Sequence, residues 1–174
     1  MEKMTSSGRR AHPDGVEFPA VRVQVAAVLK SLADSRHQQH VWADRAQGPG
    51  DAVDDLTMVV NVLDDARVLE NPEQTVGEVL RDEHEAAALR ELAELLDVLI
   101  DMLGDAPDAD YMASPRWPAI VRAARTARER MRHTDDQRSG VRSRSAQKEH
   151  CVIRQSPTGG STSGSRNCPK WTGP

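Results

Sequence analysis

Two carboxylate doublets, Asp54-Asp55 and Asp64-Asp65, come closest to chemistry by residue type and spacing in this 174-residue chain. Ten residues apart, they fall on roughly one face of a helix. Paired acid and base groups of a hydrolase, or oxygen ligands for a divalent cation, are chemistries that such an arrangement allows. No Lys, His or glycine-rich phosphate loop stands at a recognisable spacing from them, so solvated acidic helix ends are the preferred reading. His37 and His40 are three apart and can share a helix face. A structural metal site takes four ligands, however, and both cysteines, Cys151 and Cys168, lie far along the chain. Two surface histidines are expected. The sequence contains no GxSxG, GxGxxG, Walker loop, HExxH or CxxC. It therefore names no catalytic residue, no metal ligand and no cofactor.

The elements that position these residues are helical. Leu89, Leu92, Leu96, Leu99 and Leu103 recur at spacings of three and four, which stacks them on one face of a helix over 84–104. Ala88, Leu95 and Met102 widen that stripe, while Glu91, Glu94, Asp97, Asp101 and Asp105 lie mostly opposite. Asp82 and Glu83 favour its start and Gly104 its end. Upstream, Val21, Val25, Val28 and Leu32 predict a helix opened by Pro19. Val21, Val23 and Val25 also alternate as a short strand would, and the length of the pattern decides for helix. Asp34 or Ser35 suits the cap of a short helix carrying Val41 and Trp42, and QGPGD at 47–51 breaks the chain. Asp51, Asp54 or Asp55 can start a third helix with Val53, Leu56, Val60 and Leu63 on its apolar side. Thr75 and Glu78 have capping-box spacing and predict a short helical turn. Residues 105–115 read as a loop. Trp117, Ile120, Val121, Ala124, Ala127 and Met131 then predict a last helix, with Arg122, Arg125 and Arg132 on its flank.

The expected fold is all-α, a compact bundle of about five helices around 84–104. Residues 1–15 and the Ser/Gly/Arg-rich stretch 134–174 have no apolar periodicity and are expected to be disordered, leaving a helical domain at 16–133. A domain of that size buries roughly two-thirds of its unfolded surface. With one Phe and one Tyr in the chain, its core must be mainly Leu, Val, Ala and Met.

Charge is strongly segregated behind a net −4. Residues 51–110 hold 18 Asp/Glu against three Arg, whereas 111–133 hold six Arg and Glu129. An acidic middle repels phosphates, so neither nucleic acid nor an anionic membrane surface is an expected partner. The arginine flank is expected to lie beside the acidic segment of its own chain. No run approaches the 18 apolar residues of a membrane span, and the N-terminus lacks a signal-peptide core. With no cysteine framework in the domain, a reducing, cytoplasmic setting is expected.

VWADR, DDLTMVVNVLDD, TVGEVLRDEHEAAALREL and LGDAPDADYMASPRWPAIVRAAR, spanning about 18–132, resemble a family of small acidic helical proteins from actinobacteria. That family has no established activity, and some of its neighbours resemble immunity proteins of toxin systems. The resemblance carries over no catalytic residue. It implies a domain that ends soon after the last helix, a pattern from which 134–174 departs.

The function expected from these features is non-enzymatic. A protein-interaction module, immunity-like in the form the resemblance implies, would bind a basic protein partner through Asp54, Asp55, Asp64, Asp65, Glu94 and Asp101. It would be a monomer or a weak homodimer and take no cofactor. The alternatives are a hydrolase or cation-dependent enzyme built on the Asp54, Asp55, Asp64 and Asp65 carboxylates, and a DNA-associated regulator using the basic last helix and tail.

Overall fold

The computed structural model describes residues 15–43 and 54–153, with side chains described as far as residue 139. The expected N-terminal disorder, the breaker at 47–51 and the final residues 154–174 lie outside the described residues. Six α-helices follow in order: α1 (Pro19–Leu32), α2 (Ser35–His37), α3 (Leu56–Asp65), α4 (Glu83–Leu103), α5 (Asp108–Ala113) and α6 (Trp117–Ile153). A π-helical turn (Gln38–Ala43) continues α2, and a 3-10 turn (Pro72–Thr75) precedes α4. Among the described residues the only β-type pairing is an isolated bridge between Val76 and Leu80. The all-α expectation holds, with one more helix than expected.

Local chemistry sets most boundaries. Pro19 occupies the first turn of α1, where its missing N–H costs nothing. Asp34, Asp55 and Asp82 cap α2, α3 and α4, each accepting backbone N–H groups that the helix leaves unpaired. Gly104 ends α4 at φ +55, and its N–H reaches the Ile100 carbonyl at 2.8 Å. That φ favours glycine, since a Cβ would be strained there even in open space. Arg67 closes α3 in the left-handed region without being glycine, and Val68 N–H bonds back to the Leu63 carbonyl at 3.1 Å.

α4 is the axis of the core. Leu89, Leu92, Leu96 and Leu99 are buried, as the stripe requires, and Leu103 is half-buried. They meet Val25, Leu29 and Leu32 of α1, Val59 and Leu63 of α3, and Trp117, Ile120, Ala124, Ala127 and Met131 of α6 in one continuous cluster. Trp42 and Trp117 stand edge to face with centroids 6.3 Å apart, a geometry aromatic rings favour. Gln38, 1% exposed, is the polar joint beside them. Its amide donates to the Ser31 and Leu32 carbonyls at the end of α1 and accepts from Trp117 Nε1 at 3.0 Å. Every buried polar atom of Gln38 thus has a partner, which removes the cost of its burial.

Four expectations are corrected. The 105–115 stretch contains α5 rather than only loop, because Asp108 and Asp110 sit in its first turn, where negative charge suits the helix dipole. Thr75 is not an N-cap: the helical turn precedes it, and its hydroxyl donates back to the Pro72 carbonyl at 2.8 Å. Met102 does not widen the buried stripe but is 60% exposed. The last helix does not stop at residue 133. It runs on through Thr134 and Asp135, and both take part in a buried network.

That network centres on Arg22, which is 4% exposed. Its guanidinium makes two 2.8 Å bonds to the fully buried Glu85 at the start of α4. It also donates to the Val79 carbonyl (3.2 Å), the Met131 carbonyl (3.1 Å), Thr134 Oγ1 (3.1 Å) and Asp135 Oδ1 (3.1 Å). Glu85 accepts further from the Arg81 backbone N–H at 2.8 Å and from the Thr134 hydroxyl. Arg81 shares Asp135 at 2.8 Å. Burial works against the Arg22 charge, but Glu85 and Asp135 outweigh it and hold the guanidinium pKa above the ordinary arginine value. One side chain thereby joins α1, the turn before α4, α4 itself and α6.

Candidate functional site

The six acidic residues expected to form a partner-binding face divide into three places. Asp54 is a half-buried clamp. Its Oδ2 accepts from His37 Nε2 at 2.7 Å and Ser31 Oγ at 3.2 Å, and its Oδ1 accepts from Trp42 Nε1 at 2.9 Å. It joins the end of α1, α2 and the π-helical turn. His37 and Ser31 both point at the carboxylate, so the three do not form a nucleophile–base–acid relay, in which the histidine must stand between the other two. Asp55 is committed to capping α3, its carboxylate accepting Met58 N–H at 2.7 Å. Asp64 and Asp65 are exposed at the opposite end of α3, about 14 Å along the axis from Asp54 and Asp55 at the usual helical rise. The structure does not bring the two doublets together as an acid–base pair. His40 is exposed. Among the described residues no group of three or more His, Cys, Asp or Glu is arranged to hold a metal ion.

Glu94 and Asp101 lie on the outward side of α4, and here the acids do gather. Ala87, Glu91, Glu94, Val98, Asp101, Met102 and Asp105 are all exposed. The spacing of those within α4, up to Met102, places them on one stripe opposite the leucines, and Asp105 follows beyond the Gly104 stop. Asp97 and Asp101 are like charges four residues apart within α4, which destabilises a helix, and Asp105 follows just beyond Gly104. The last turn of α4 carries no basic residue, so those acids also stand at the negative end of the helix dipole, where cations are favoured. Arg90, the single Lys or Arg in α4, is paired with Glu73.

At the same end of α4 lies a cleft of about 310 Å³ between α3 and the α4–α5 junction. Leu56, Val60 and Ile100 supply its apolar lining, and Asp105 and Asp108 its acidic groups. Asp108 accepts the Leu56 N–H at 3.2 Å, tying α5 to the start of α3. Tyr111 lines the cleft with its hydroxyl donating to the Gly104 carbonyl at 2.6 Å. Burial pushes the Tyr111 phenol above its usual pKa, and the neighbouring Asp105 and Asp108 carboxylates add to the effect. The sequence assigns Asp108 and Tyr111 no binding role, because they fall in a stretch whose pattern predicts a loop. The signal available was the run of three acids around Tyr111 directly after a helix-ending glycine.

The arginines of α6 make their close polar contacts elsewhere than the acidic segment 51–110. Arg125 donates to the Ala33 carbonyl at 3.2 Å, and Arg132 faces Asp136 of its own helix at 3.6 Å. Among the described residues, none of the ion pairs joins Arg116, Arg122, Arg125, Arg128 or Arg130 to an acid of 51–110.

The fold and site define a small all-α domain whose central helix turns a leucine face inward and an acidic face outward. The chain belongs to the family described as Domain of unknown function (DUF7945), which matches residues 16–139. The matched span includes Thr134 and Asp135 and so takes in the whole Arg22 network. No curated protein and no solved structure matches the chain. Among the described residues, no helix is long and apolar enough to cross a membrane.

Proposed function

We propose that this domain is a non-enzymatic interaction module that binds a basic protein through the outward side of α4 and its C-terminal pole. The observation that carries the reading is the set of acids at the end of α4. Asp97 and Asp101 repel one another along one helix edge, Asp105 adds charge just past Gly104, and the last turn has no basic residue to offset them at the negative pole of the dipole. A basic partner relieves that repulsion on binding. Complementary charge of this kind speeds encounter and selects partners more than it adds affinity. An immunity-like role in the cytoplasm, in which the domain neutralises a basic toxin, is the particular form favoured here. The enzyme reading has less support, since the Asp54-Asp55 and Asp64-Asp65 doublets occupy opposite ends of α3 and Asp54 and Asp55 already hold hydrogen-bond donors.

The test is affinity capture from native-host extract with the full chain, at low and high salt, beside a D101N/D105N variant. A basic protein retained at low salt, released at high salt and lost by the variant is expected. Capture that ignores both salt and variant, or no salt-sensitive protein at all, contradicts the reading.

A further inference from the structure

The outward stripe of α4 is not uniformly polar. Val98 is 44% exposed and Met102 60%. They lie one turn apart in the last two turns of α4, with Glu94 and Asp101 beside them on the same stripe and Glu91 two turns before Val98. Single exposed apolar residues are ordinary on a protein surface. Two of them stacked on one helix face, with the carboxylates of Glu94 and Asp101 along one side, give a partner apolar anchors next to charge. Methionine suits such a position because its flexible, polarisable thioether adapts to the surface that covers it.

We infer that this face docks an amphipathic helix of a basic partner, with aliphatic residues over Val98 and Met102 and Lys or Arg over the neighbouring carboxylates. The inference rests on the proposed interaction function and specifies which face binds and what it binds. Charge complementarity selects this occupant, because the stripe within α4 holds Glu91, Glu94 and Asp101 and no Lys or Arg. The α1–α3 groove, about 430 Å³ and lined largely by apolar residues including Val21, Met58 and Val62, has Asp65 as the single charged residue of its lining. A basic peptide without apolar residues satisfies the acids and leaves Val98 and Met102 wet, so charge alone does not reproduce the contact.

The experiment uses the full chain with 13C-labelled methionine methyl groups and three synthetic helical peptides. One carries leucines at three- and four-residue spacing with lysines around them, one has the leucines replaced by serines at the same charge, and one has the lysines replaced by glutamates. The leucine–lysine peptide is expected to shift the Met102 methyl and to bind at least about tenfold more tightly than the serine–lysine peptide. V98S/M102S is expected to remove that preference while leaving the circular dichroism of the domain unchanged. The leucine–glutamate peptide is expected not to bind. Equal binding of both lysine peptides, or shifts at Met58 in place of Met102, overturns the inference. Sedimentation of the protein alone checks a second copy as occupant: self-association abolished by M102S would overturn it too. Failure here is distinct from failure of the proposed function. Salt-sensitive capture that D101N/D105N abolishes and V98S/M102S leaves intact would retain the acidic partner site and discard this helix contact.

Discussion

Arg22 and Glu85, 63 residues apart in sequence, face each other through two parallel 2.8 Å hydrogen bonds, with side-chain exposures of 5% and 0%. Charges removed from water this completely cost several kcal/mol each, and the pair is tolerated only because the geometry is bidentate and the remaining donors are occupied. It also fixes arrangement. Arg22 reaches Val79, Met131, Thr134 and Asp135, so α1, α4 and α6 must adopt one mutual register for its bonds to form.

Breaking this pair from one side should therefore cost more than removing both members. R22M or E85L alone is expected to destabilise the domain by about 3–5 kcal/mol, because each strands a buried charge. The double variant R22M/E85L is expected to lose less than either single one. It will still lose about 1–3 kcal/mol, since the Val79 carbonyl no longer has its Arg22 donor. Urea denaturation of the four proteins measures this directly, and additive losses would show that the two charges do not depend on each other.

The same residues show how far the sequence could be read. Arg22 stands three residues before Val25 and seven before Leu29, in phase with the buried side of α1. Glu85 stands four before Leu89, in phase with the leucine stripe, and Thr134 stands three after Met131, in phase with the last. Each is polar, so none adds to an apolar stripe, and Thr134 falls where the apolar pattern stops. Hydrophobic periodicity reveals a core face only through apolar residues, so a buried pair of opposite charges at core positions escapes it. The leucine axis, the Asp82 cap, the Gly104 stop and the stripe from Trp117 to Met131 were all legible, because local spacing and cap chemistry determine them. The split of the acidic residues into a clamp, a cap and an outward face was not. It depends on which distant elements approach, as when Trp42 and His37 claim Asp54.

Tyr111 offers a spectroscopic view of the cleft, since it is the only tyrosine in the chain. Its pKa is raised chiefly by burial and then by Asp105 and Asp108. Absorbance at the phenolate wavelength in the folded protein should titrate with a midpoint above the ordinary value of about 10. D105N should bring that midpoint down. A raised native pKa favours the protonated form on folding, so this contribution is intact below about pH 10 and is lost as pH climbs from there through the native value. A native midpoint at or below the ordinary value would mean that the phenol is solvated and the Gly104 bond absent.

Asp34 should give the opposite dependence on pH. Its carboxylate accepts the His37 and Arg36 backbone N–H groups at 3.1 Å each, and the His37 bond leads in holding its pKa below the usual carboxylate range. Its stabilising contribution is present above the unfolded carboxylate pKa of about 3.9 and disappears as pH falls through the native value below it. D34A is expected to cost about 1 kcal/mol at neutral pH, as loss of an N-cap does. The gap from the parent protein should close under acid conditions, and D34N, which keeps an accepting oxygen, should cost less. A D34A deficit that stays constant down to the acid transition would assign the effect to packing rather than to the charged cap.

The acids at the end of α4 should reveal a conflict between stability and binding. Negative charge at a helix C-terminus is unfavourable, and Asp105, just past Gly104, adds like charge near that pole. Removing both charges with D101N/D105N is expected to stabilise the free domain by a few tenths of a kcal/mol at low salt. Screening should erase that gain at high salt. Denaturation at two ionic strengths reads the effect. A loss of stability would mean that the carboxylates hold the α4–α5 junction together and are retained for the fold. A salt-dependent gain, combined with loss of the captured basic protein, would identify them as groups kept in spite of their cost to the helix, which is the pattern expected of residues that meet their counter-charge on a partner.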